Sequence, residues 1–128
     1  QRQMCIRDSH NYFYPLRIRP GRRTVALSEY GGIAWPMPGH EPPGKTYGYG
    51  TAKDKADLTK RYKMLQWKTI LPQLGRGLSA LVYTQLTDVE DEVNGLFTYD
   101  RAALKPEAAA VRSCNAALAA EFAKVTAK

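Results

Sequence analysis

Apolar positions along the chain gather into blocks separated by glycine, proline and charge, and the spacing inside each block predicts its element. Residues 24–28 (TVALS) form a short apolar run that predicts a buried strand, and Glu29, Tyr30, Gly31 and Gly32 follow it at once. Residues 79–84 (SALVYT) predict a second buried strand. Between them, Leu58, Tyr62 and Leu65 recur at helical spacing, broadened by Trp67, Ile70 and Leu71, which predicts a helix running to about Pro72. Thr51-Ala-Lys-Asp54 has the capping-box form that starts such a helix. Gly75 and Gly77 break it. Val111, Cys114, Leu118, Phe122 and Val125 step by three and four after Pro106, predicting a final helix with an apolar stripe. Cys114 reads there as a small hydrophobe.

The connections are less regular. Residues 31–50 are dense in glycine and proline among aromatics, which predicts a long ordered loop; Trp35, Tyr47 and Tyr49 favour a functional one. Residues 88–94 form an acidic loop, and 96–100 (LFTYD) predict a short extended piece. Strand, loop, helix, strand, loop, helix is the order of a parallel α/β sheet, with both strand ends on one face.

Composition narrows the classes. The chain has 128 residues, 44% hydrophobic and 24% charged, which suits about one domain. An eightfold α/β barrel needs roughly 250 residues. No apolar run reaches the 18 or so residues of a membrane span. The net charge of +7 invites nucleic acid, but the basic residues are spread and do not interleave with stacking aromatics. We therefore expect neither a nucleic-acid nor a membrane partner. Cys5 and Cys114 give no disulfide framework and no metal-ligand spacing.

Residues 1–9 carry no pattern assignable to an element. Arg2 to Asp8 read back as AGACAGATGTGTATAAGAGAC, and AG then opens the Ser9 codon. That string resembles the transposon end used to prepare sequencing libraries. The expectation is that residues 1–9 are translated adapter and that the domain is 10–128.

Two further patterns are weighed and set aside. Gly39-His-Glu-Pro-Pro-Gly44-Lys45-Thr46 matches the phosphate-loop formula, yet Pro42 and Pro43 lack the N–H groups that cradle phosphate, and no strand precedes or helix follows. The acidic loop lacks the glycine and closing glutamate of a calcium loop, with Tyr99 at the closing position. We expect no cofactor and name no metal ligand; a structural or substrate-site cation stays open.

Glu29 carries the candidate chemistry. A glutamate at a strand end reads either as a solvated terminus or as a reactive group at the carboxyl face of a sheet. "TVALSEYGG", "GLSALVYTQLTDVEDEVNGLFTYDR" and "HNYFYP" together resemble the C-terminal end of the catalytic barrel of glycoside hydrolase family 2, the β-galactosidase and β-glucuronidase family. The similarity spans His10 to Lys128. It implies an α/β fold: a fragment holding about strands 7 and 8, with their helices, of a (β/α)8 TIM barrel. It implies a retaining β-glycosidase with a carbohydrate substrate, in which Glu29 is the nucleophile. Tyr12, in the "HNY" segment with His10, would contact that nucleophile. Tyr83 would stand where many members floor the sugar with tryptophan, and Trp35 and His10 are further candidate substrate contacts. Retaining enzymes hold two carboxyl groups roughly 5–5.5 Å apart. The family's acid/base glutamate has no counterpart in this chain.

Family glucuronidases place an Asn-x-Lys before a "GIFT"-like segment to hold the uronate. Aligned on "GLFT", those positions are Glu92 and Asn94, which should repel an anionic sugar and favour a neutral β-hexoside, β-galactosidase-like. The other reading is a non-catalytic carbohydrate-binding or interaction module. Homo-oligomerisation of a parent enzyme stays open; a bacterial cytoplasmic parent is the expectation, with secretion open.

Overall fold

A computed structural model describes residues 6–12, 16, 18 and 23–127. Its strands are β1 (Ile6–Asn11), β2 (Thr24–Gly31) and β3 (Leu78–Thr84), and its helices are α1 (Lys55–Met64), α2 (Leu71–Leu74) and α3 (Ala108–Thr126). A π-helical stretch, Leu65–Ile70, joins α1 to α2. The three strands form one parallel sheet in the order β1-β2-β3. The protein is therefore mixed α/β, with a small open sheet.

β1 corrects the patternless reading of the first residues. No apolar alternation marks Ile6–Asn11; the parallel ladder to β2, from Ile6 opposite Thr24 to Asn11 opposite Tyr30, makes it a strand. This pairing does not bear on the expected adapter origin of residues 1–9, of which 1–5 lie outside the described ones.

β2 runs three residues past its predicted end and carries a β-bulge. Leu27 faces Ser9 and Leu81, but Glu29 faces His10, and Tyr30 faces both Asn11 and Tyr83. One extra residue thus enters β2 between Leu27 and Tyr30, relative to both neighbours. Because side chains alternate faces, an inserted residue shifts everything after it to the opposite face. Val25 and Leu27 lie in the core before the bulge, and Tyr30 lies there after it. Glu29 is released to the other side.

The core lies between the sheet and the helical layer. Leu27, Leu58, Ile70 and Leu78 are all at most 2% exposed, and Leu65 and Leu74 close around them. The predicted helix to Pro72 exists, in three segments. Pro72 has no N–H to give the preceding turn, and that turn widens to π. The N-cap is Asp54 rather than Thr51: its carboxylate accepts from the Asp57 N–H at 2.8 Å, while the Asp57 carboxylate accepts from the Lys53 N–H.

In α3 the apolar stripe is only partly covered. Cys114 is buried, Leu118 packs against the core and Phe122 is 39% exposed. The segment 96–100 is not a strand. Phe97 makes isolated bridges to Thr87 and Leu104, and the chain turns at Thr98 and Asp100.

Candidate functional site

The carboxyl ends of the strands converge on a cleft of about 380 Å³ lined by Tyr12, Ser28, Glu29, Val82, Tyr83, Thr84, Gln85 and Glu92. The bulge brings Glu29 to it. The Tyr12 hydroxyl donates to Glu29 Oε2 at 2.6 Å and lies 3.4 Å from Thr84 Oγ1. His10 Nδ1 lies 3.2 Å from the same carboxylate oxygen. One oxygen of Glu29 is thus held by His10, near the end of β1, and by Tyr12, just beyond it. Burial first, and then the hydrogen bond to Glu29, push the Tyr12 phenol up to about 12, so it stays a donor across the neutral range.

The paired glycines after Glu29 make room for rings. Gly31 has φ +101°, and a Cβ there would run into the Tyr83 ring. Gly32 has φ +62°, and its Cβ would lie 2.8 Å from both the Tyr12 and Tyr49 rings. Those two rings stack, with centroids 3.9 Å apart and planes 8° off parallel. Tyr47 packs edge-on against Tyr49, and its hydrogen bond is the main reason the Tyr49 phenol is raised. The turn after the nucleophile candidate is a glycine seat under two aromatic walls.

Tyr83 lines the cleft while its ring meets Tyr30 and Tyr62 edge-on toward the helices. Trp35 does not line the cleft: it is 9% exposed and belongs to the core, its backbone N–H donating to the Val93 carbonyl. Asn94 is fully buried, so it reaches the cleft only through its neighbours. Its Nδ2 donates to Glu92 Oε2 at 3.1 Å, and Gln85 Nε2 donates to Asn94 Oδ1 at 2.8 Å and to Glu92 Oε2 at 3.2 Å. Thr84 and Gln85 lie beyond the candidates found from the sequence. Their position at the end of a predicted strand, Thr84 its last residue and Gln85 the next, was the available signal.

The acidic loop closes on a cation of the protein's own. Lys105 is fully buried; its Nζ donates to Asp88 Oδ1 at 2.7 Å and to the Val93 carbonyl at 2.9 Å. Asp88 Oδ1 also accepts from the Gly95 N–H. Burial pushes the Asp88 carboxyl up and the Lys105 ammonium down, and their contact opposes both shifts. Among the described residues, no group of three or more His, Cys, Asp or Glu side chains gathers as a metal would require. The phosphate-loop lookalike has no helix after it; the next begins at Lys55.

No protein-family model matches the chain, and no curated protein matches it.

Proposed function

We propose that this chain is the C-terminal part of the (β/α)8 barrel of a retaining β-glycosidase resembling glycoside hydrolase family 2, acting on a neutral β-hexoside such as a β-galactoside. The observation that carries the reading is the 2.6 Å hydrogen bond from Tyr12 to Glu29 at the ends of parallel strands, in an open cleft. Glu29 attacks the anomeric carbon: an O–C bond forms, the glycosidic C–O bond breaks, and the leaving oxygen takes its proton from an acid/base carboxyl elsewhere in the parent protein. Water then releases the sugar from Glu29. Tyr12 donates to one carboxylate oxygen and fixes its direction of attack. The glycine turn and the Tyr12–Tyr49 stack keep that phenol in place. Glu92 on the cleft wall disfavours an anionic sugar.

The test is Glu29→Gln in the full-length parent. Turnover of a nitrophenyl β-galactoside should fall by orders of magnitude with the thermal transition unchanged, and azide or formate should partly restore Glu29→Ala. Undiminished hydrolysis by Glu29→Gln would falsify the assignment.

A further inference from the structure

The wall of the cleft opposite β1 holds a small polar assembly that the nucleophile does not use. Glu92 can only accept hydrogen bonds, so both amides beside it turn their NH₂ groups toward it. Gln85 Nε2 and Asn94 Nδ2 both reach its Oε2, at 3.2 and 3.1 Å. The second proton of Gln85 Nε2 goes to Asn94 Oδ1, closing the triangle. Among the described residues, no hydrogen bond reaches the other oxygen, Oε1.

The backbone under this triangle is tied down on both sides. Tyr47 exchanges hydrogen bonds with the flanking residues, its N–H to the Asp91 carbonyl at 2.7 Å and its carbonyl from the Val93 N–H at 2.9 Å. Lys105 holds the Val93 carbonyl from below. A carboxylate with one oxygen occupied by two donors has its other oxygen left to accept.

We infer that Gln85 is a positioning residue, which aims Glu92 Oε1 into the cleft as the acceptor for a hydroxyl of a neutral sugar. This rests on the glycosidase reading and adds to it the residue that sets hydroxyl recognition. Gln85 acts through Glu92. Thr84 joins the Tyr12 side of the cleft and Gln85 the Glu92 side, so consecutive residues at the end of β3 serve its two walls.

The experiment uses the full-length parent carrying Glu29→Gln, which binds without turning over, and calorimetric titration with methyl β-galactoside and its monodeoxy derivatives. One derivative should bind about 10- to 100-fold more weakly than the parent sugar, the range for a hydrogen bond to a charged group. Adding Glu92→Gln or Gln85→Leu should bring the two sugars to within a few-fold of each other, with the thermal transition retained. Full discrimination persisting in Gln85→Leu overturns the inference, and so does an equal loss for every derivative, which marks a merely structural role. If the Glu29→Gln protein binds no sugar at all, the glycosidase reading falls and the inference with it. Discrimination lost in Glu92→Gln but kept in Gln85→Leu leaves the glycosidase reading intact and removes Gln85 alone.

Discussion

The strand-end loops and the outer side of the sheet are built on opposite terms. Around the cleft, polar groups are tied to one another: Tyr12 to Glu29, Gln85 to Glu92 and Asn94, Lys105 to Asp88, and Gly32 N–H to the Thr84 carbonyl. On the outer side, Val82 is 57% exposed in the middle of β3; on the helical side, Phe122 and Leu118 border an apolar groove of about 230 Å³ with Leu74 and Leu81. Parallel strands are found with both faces covered, and here helices cover one. Hydrogen-bonded loops can complete themselves from within the chain, because each partner is a short reach away. A second sheet face needs other elements. This contrast supports the proposal that the chain is part of a larger barrel.

The comparison is broken most severely at Lys105. Lys105→Met leaves the buried Asp88 carboxylate without its counter-ion, at a cost of about 3–5 kcal/mol. In denaturant unfolding of the full-length parent the midpoint should fall accordingly. A loss below about 1 kcal/mol, the range of exposed pairs, would show that the loop does not depend on this ion pair.

Alkali tests the same polar side more gently. The Tyr12 phenol, pushed up to about 12, is a stronger acid in the unfolded chain than in the folded one. Its protonated form therefore contributes stability fully below pH about 10, the unfolded value, and that contribution is lost as pH rises through about 12. In ultraviolet titration, Tyr12→Phe should lack one phenol that the wild type ionises near pH 12. A missing phenol with an ordinary midpoint would contradict the burial of Tyr12 and its hydrogen bond to Glu29.

The smallest effect is expected at the groove beside α3. Phe122→Ser, in the chain as it stands, should change stability by no more than about 0.5 kcal/mol, as for other surface positions. A loss several times larger would mean that the groove is already filled, by self-association or by chain packing. Sedimentation at two concentrations separates those cases, since only association responds to concentration.

Much of this architecture was legible in local pattern. The helical spacing of Leu58, Tyr62 and Leu65 located α1, the run 79–84 located β3, and the α3 stripe found its buried Cys114. These signals are short-range: a residue's neighbours three or four along, or two along, decide its face. Where partners are remote in sequence, pattern was silent. β1 exists through its ladder to β2. Nothing beside Lys105 in the sequence marks it as buried, and its partner Asp88 lies seventeen residues away. Trp35 looked like a sugar contact and lies in the core.

Glu29 marks the boundary between the two kinds of information. The sequence by itself placed a carboxylate at the end of an apolar strand, followed by glycines that permit a sharp turn. It also determined the α/β order of elements, since periodicities of two and of about 3.6 residues are written locally. Simple alternation along β2, however, would put Glu29 on the same face as Val25 and Leu27, inside the core. The tertiary structure decided otherwise. The bulge, fixed by registers with both β1 and β3, inserts one residue, returns Tyr30 to the core and turns Glu29 outward to Tyr12 and the cleft. A register is a relation between strands, so no single strand's sequence can state it.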